Sequence, residues 1–166
     1  MDSVRPSVEG VPDRGHRRAT VAVKGSLRAL QSQLALLGHR VGSRLKLRDV
    51  DLDCLEVLAL QGPLSPSALA RRAGLHPATM TGVLDRLQRD GWVVRERDPQ
   101  AADRRAVTVR AVPGRTAEVF RLYAGMNAAL DAVCADYTEE ELTLLTGFLR
   151  RVTDEGATAA EGLTAD

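Results

Sequence analysis

The side chains with chemistry to offer concentrate between His76 and Arg110, and arginine is the commonest of them. Set on a helix at about 100° per residue, Ala78, Thr79, Gly82, Arg86 and Arg89 share one face, with Thr81 and Asp85 at its margins. Met80, Val83, Leu84 and Leu87 fall on the other face and are expected to pack inward. Small residues at the front of the polar face let such a helix sink into a groove. The arginines behind them suit phosphates or a guanine edge. His76 stands where the helix would begin, beside the positive end of its dipole, and can donate to a phosphate or a base. Further on, Arg95 and Arg97 precede the polar segment DPQAADRR, which holds Asp103, Arg104 and Arg105. An arginine at the tip of a hairpin can enter a narrow minor groove. One adjacent carboxylate, here Asp103, can fix its pose. Asp85 is placed to pair with a hairpin arginine and brace the hairpin against the helix. This is the chemistry of holding a polyanion and reading its edges.

Other chemistries find little support. His16, His39 and His76 lie far apart, and no Ser/His/Asp, Cys/His or glycine-rich phosphate motif frames them. No catalytic site, and hence no enzyme, is expected. Neither His39 nor Cys54 has a clustered partner with metal-ligand spacing, so no metal and no cofactor are expected. Cys54 and Cys134 form no CxxC pair and are read as buried thiols. Asp51, Asp53 and Glu56 around Cys54 would raise its pKa, which disfavours a reactive thiolate. A thiol-redox response stays open as an alternative, as does use of the same fold for docking a protein without DNA.

The elements that must position these residues follow from apolar spacing. A net charge of +1 conceals a division: residues 1–48 carry 10 basic against 3 acidic side chains, residues 71–110 carry 9 against 5, and the chain from 136 onward carries 2 against 8. Only 3% of residues are aromatic, so Leu, Val and Ala must build the core, which favours helix packing. Residues 1–17 hold prolines and glycines without apolar periodicity and are expected to form a disordered arm. From about Thr20 a helical stripe runs through Val23, Leu27, Leu30, Leu34, Leu37, Val41 and Leu45. A second helix opens at Asp49–Asp51, carries Leu52, Leu55, Leu58 and Leu60, and stops at Gly62-Pro63. Ser65-Pro66 starts a short third helix that buries Leu69 and Ala70 and turns at Gly74. His76-Pro77 starts a fourth, ending at Asp90-Gly91. Trp92–Arg95 and Ala106–Val109 read as a hairpin. A long helix from Pro113 to Tyr137 follows. A capping box at Thr138 and Glu141 then opens the last helix, through Val152. Residues 154–166 are expected to fray.

The fold class is thus mainly α with a small β-hairpin wing, a winged helix-turn-helix over residues 49–112. Residues 18–48 and 113–153 flank it as helices too apolar to stay single, a dimerisation region. No apolar run approaches the ~20 residues that span a bilayer, and the segment MDSVRPSVEG lacks the apolar core of a secretory signal. A cytoplasmic protein acting at the nucleoid is expected, with no membrane partner.

The phrase LARRAGLHPATMTGVLDRLQRDGWVVRERDP, followed by DRRAV, resembles the reading head of the MarR family (multiple antibiotic resistance regulators). The likeness covers roughly Leu52 to Gly114. It implies an obligate homodimer, intertwined through its first and last two helices, acting as a transcriptional repressor on a pseudo-palindromic double-stranded operator. It also implies a small aromatic or phenolic effector bound between the dimerisation and DNA-binding lobes, with ligand-lining residues unknown. By position, His76, Ala78, Thr79, Thr81, Gly82 and Arg86 would face the major groove. Asp103 and Arg105 match the wing's Asp-x-Arg, with Arg105 in the minor groove. Two departures stand out. The wing tip is about two residues longer than the family's pattern. The usual Leu-Thr-x-x-Gly after the second strand is Ala111-Val112-Pro113-Gly114, so a threonine cap is missing.

Overall fold

A computed structural model describes residues 13–97 and 107–163. Six helices and one hairpin follow in the order α1 (Arg14–Leu45), α2 (Asp49–Gln61), α3 (Pro66–Arg72), α4 (Pro77–Arg89), β1 (Val93–Arg97), β2 (Val107–Ala111), α5 (Pro113–Cys134) and α6 (Glu139–Leu163). The chain divides into two compact units, residues 1–117 and 118–166.

The first unit is a winged helix-turn-helix with α1 leading into it. Ser65 stands in extended backbone and its Oγ accepts from the Ala68 N–H at 3.2 Å, with Pro66 in the first turn of α3. That removes one orphan donor while proline presents none. Gly74 takes φ +64° between α3 and α4, and Gly91 takes φ +75° before the hairpin, left-handed values that cost a side-chain-bearing residue about 1 kcal/mol or more. The two turns aim the apolar stripes of α2, α3 and α4 at one another. Leu52, Leu55, Leu58, Leu69, Ala70, Met80, Val83, Leu84 and Leu87 are all buried there, with Trp92, Val93 and Val109 closing the hairpin side. Each large aliphatic side chain so buried stabilises the unit by about 1.5–3 kcal/mol before entropy is counted. Leu60, grouped with the α2 stripe in the sequence, is 85% exposed, because it lies off the line of Leu52, Leu55 and Leu58.

The strands pair antiparallel, with Val93 opposite Ala111, Arg95 opposite Val109 and Arg97 opposite Val107. Leu64, between α2 and α3, exchanges both backbone hydrogen bonds with Val109 (3.1 and 2.7 Å). The wing is therefore tied by backbone to the loop that precedes the helix-turn-helix.

Two predicted boundaries are corrected. α1 begins at Arg14 rather than near Thr20, so residues 14–17 are helical and not part of a loose arm. RGHRRA holds no proline, and its one glycine, Gly15, falls in the first turn, where the cost to the helix is small; polar residues without apolar period are compatible with a solvated first turn. Likewise α6 continues to Leu163 rather than fraying after 154. Ala and Glu are strong helix formers, and Thr158 returns its hydroxyl to the Asp154 carbonyl at 3.1 Å. Residues 1–12 and 164–166 lie outside the described residues.

Within the second unit, α5 stops at Cys134, three residues before the expected Tyr137, because Thr138 must leave helical backbone to cap α6. The capping box is formed: Thr138 N–H donates to Glu141 Oε2 at 2.8 Å and Glu141 N–H to Thr138 Oγ1 at 3.2 Å. In place of the missing threonine cap of α5, the Val112 carbonyl accepts from Arg115 N–H, Thr116 N–H and the Thr116 hydroxyl.

Candidate nucleic-acid interface

α4 presents the expected division of faces. Met80, Val83, Leu84 and Leu87 are at most 2% exposed. His76, Ala78, Thr79, Thr81, Gly82, Asp85 and Arg89 are exposed on the other side. His76 caps the helix: its Nδ1 accepts from the Ala78 N–H at 3.3 Å. A ring accepting at Nδ1 carries its proton on Nε2, so the cap leaves one N–H available as a donor. The Thr79 hydroxyl has no partner among the described residues, whereas Thr81 donates to the Pro77 carbonyl at 3.2 Å. A Cβ added at Gly82 would meet nothing within 4 Å. The front of this face is thus small, open and nearly uncommitted.

Arg86 behaves differently from the sequence expectation. Its Nε and Nη2 donate to Asp51 Oδ2 and Oδ1 at 2.9 and 2.5 Å, a two-point grip on α2. Asp51 is 1% exposed and also accepts the Arg48 N–H at 3.2 Å, which caps α2. The hydrogen bond from Arg86 to Asp51 raises the guanidinium pKa further above its already high value. Arg86 therefore does not stand free on the outer face with Arg89; it folds back from the edge of that face. Sequence reasoning saw Asp51 only as a helix-start carboxylate and missed the pair.

The wing arginines also sort by partner. Arg95 donates to Asp85 Oδ1 at 2.7 Å, the brace between hairpin and α4 that the sequence suggested for one wing arginine. Alternation along β1 puts Glu96 on the other face, where Arg110 Nη2 reaches it at 2.5 Å and holds its carboxyl below the usual range. Arg97, exposed at the strand end, has no partner among the described residues. Asp103, Arg104 and Arg105 lie outside the described residues. At the C-terminal end of α4, Arg115 donates to the Asp90 carbonyl at 3.1 Å and stacks 4.6 Å above the Trp92 ring. This contact, also unseen in the sequence, holds the last turn of α4.

Cys54 lies 0% exposed beneath this assembly. Burial first, then Asp53 and Asp51, pushes its thiol up to about 11, with Arg86 opposing. The sequence anticipated a buried thiol beside carboxylates, but credited the shift to the carboxylates when burial is the larger cause. At pH 8 the native protein is expected to leave Cys54 unlabelled by iodoacetamide, with labelling appearing on denaturation. Peptide mass spectrometry reads this directly, and rapid native labelling of Cys54 would contradict the inert-thiol assignment. Among the described residues no group of three or more His, Cys, Asp or Glu could hold a metal ion. No described helix is long and apolar enough to cross a membrane.

A family model described as the MarR family matches residues 47–107, the head just built. The uncharacterized HTH-type transcriptional regulator YcgE of Bacillus subtilis is 30% identical over 127 residues, 76% of this chain and 81% of that protein. The chain belongs to the MarR family. It is accordingly a DNA-binding transcription regulator, as the resemblance implied. The HTH-type transcriptional repressor YetL of B. subtilis is 33% identical over 86 residues, 52% of this chain and 50% of that protein. A MarR family protein from Bacillus stearothermophilus shares the fold at a TM-score of 0.64 and 22% identity, over 84% of this chain and 96% of that one.

Proposed function

We propose that this MarR-family chain is a homodimeric repressor that reads a pseudo-palindromic operator in double-stranded DNA through α4, with its wing on the flanking minor groove. The observation that carries the reading is the outer face of α4: small, exposed and uncommitted at Ala78, Thr79 and Gly82, while Met80, Val83, Leu84 and Leu87 are packed beneath it. His76 and, on the wing, Arg97 offer further donors, while the Thr81 hydroxyl, its proton on the Pro77 carbonyl, can still accept. Asp103, Arg104 and Arg105 keep the wing-tip role implied by the family, with Arg105 in the minor groove. Repression is taken from the named repressor relative.

The dimer is supported by apolar side chains left exposed on the flanking helices. Val23, Leu30 and Leu34 on α1, Phe120, Met126, Leu130 and Val133 on α5, and Leu145, Phe148 and Leu149 on α6 are each at least 38% exposed. Such runs mark surfaces that another chain covers. Family membership further suggests a small aromatic or phenolic effector and action in the cytoplasm on chromosomal DNA.

Selection of preferred duplexes from a random pool, with sedimentation of the free protein, tests the reading. The expected result is a dimer that enriches two inverted half-sites about one helical turn apart. Its affinity should fall steeply with salt. A monomer, or a pool without enrichment, would contradict it.

A further inference from the structure

We propose that Arg86 is a positioning residue: it acts through Asp51 to set the pose of α4 on DNA, and it reads no base itself. The inference rests on the reading of α4 as the groove-entering helix. On a helical wheel Arg86 stands about 60° from buried Val83, at the edge between the two faces of α4. From there its side chain returns to α2, where both oxygens of Asp51 are engaged by its Nε and Nη2. The Asp51 side chain is 2% exposed and that of Arg86 22%. A planar guanidinium held at two points fixes direction as well as distance.

Asp51 is itself anchored. The same carboxylate accepts the Arg48 backbone N–H and so terminates the first turn of α2. The Asp51 carboxylate thus joins the start of the α2 scaffold to the back half of α4. Releasing Arg86 toward DNA would strand a buried carboxylate without its cation, a cost that a single base contact does not offset. At its C-terminal end α4 is also held by Arg115 on the Asp90 carbonyl, and the hairpin's Arg95 braces it at Asp85. Small tilts of a helix in a major groove move every side chain on its face at once. Loss of this grip should therefore blur recognition across a whole half-site rather than at one base pair.

The test uses full-length protein and the duplex enriched from a random pool, with single-base-pair variants of that duplex, at several salt concentrations. Asp51→Asn, Arg86→Met and the double variant are compared, with thermal melts to confirm folding at the assay temperature. Each single change is expected to lower operator affinity about tenfold or more, with preference flattened over the entire half-site. The double variant should be no worse than the poorer single. The dependence on salt should match the wild type, because no phosphate contact is lost. Arg86→Lys should restore little, since an ammonium cannot make both bonds.

Where the single variants melt too low, Asp51→Leu/Arg86→Met refills the site without charge. Recovery of the wild-type preference profile by this pair supports positioning, because it contains no guanidinium at all. The proposal is overturned if Arg86→Met, or the apolar pair, relaxes preference at one base pair or cuts the salt slope by about one while Asp51→Asn does neither. If Thr79→Ala alters preference and Asp51→Asn does not, the inference fails and the reading of α4 stands. If the wild type prefers no duplex, both fall.

Discussion

Arg86→Ala is expected to destabilise the protein by about 3–5 kcal/mol, as much as truncating a large side chain in the core of the DNA-binding head. The change leaves the Asp51 carboxyl without its cation, with only the Arg48 N–H still bound to it. Breaking the pair from the other side is milder. In Asp51→Ala the guanidinium, with a side chain already 22% exposed, can turn to water, so only the lost hydrogen bonds and part of the α2 cap are forfeited. Against a typical total of about 5–15 kcal/mol, the first change alone removes a large share of the fold's stability. Denaturant titrations of both variants read the asymmetry. Equal stability in Arg86→Ala and wild type, or a greater loss in Asp51→Ala, would contradict the description of the pair as buried on the aspartate side.

Gly82→Glu is expected to leave the fold intact and to weaken operator binding by about a hundredfold. An added Cβ at this position meets nothing within 4 Å, and the site is in the middle of α4 on its exposed face. Replacing a mid-helix glycine by a good helix former should raise stability by up to about 1 kcal/mol. In the groove, the same substitution adds bulk where α4 must approach closely and a negative charge beside phosphates and acceptor edges. Juxtaposed like charges cost several kcal/mol, and about 2.7 kcal/mol suffices for a hundredfold. The opposite signs of the two effects matter: a rise in melting temperature with a collapse in binding cannot come from misfolding. Unchanged affinity would place the DNA on another face.

The middle of the chain was legible because punctuation and period agree there. Ser65-Pro66 and His76-Pro77 mark helix starts, Gly74 marks a left-handed turn and Asp90-Gly91 a helix end, and the apolar stripe of α4 has helical spacing throughout. All four match the structure. The helix ends at Arg14 and Leu163 were not legible, because solvated helix carries no apolar period and the glycines there, Gly15, Gly156 and Gly162, read as loop although the helices run through them. Arg86 was misplaced for a different reason. A wheel assigns an arginine by its Cα, whereas a long side chain at the edge of a face can reach either way. Its partner lies 35 residues earlier, beyond any local pattern. Arg115 over Trp92 is likewise a contact between elements, visible only once α4 and α5 are both in place. The resemblance to the MarR family supplied what spacing does not, the inference of a regulator with a two-fold site, and the family match supports its coarse form.

Comparison of the duplexes enriched by wild type and by Thr79→Ala tests the central claim most directly. Thr79 is exposed, at the front of α4, and its hydroxyl is uncommitted among the described residues, so its loss removes a contact to DNA without disturbing the protein. The account predicts inverted half-sites for both proteins, equal melting temperatures, and preference relaxed at one base pair in each half-site, by up to about 1–3 kcal/mol. Identical preference profiles for the two proteins would contradict it.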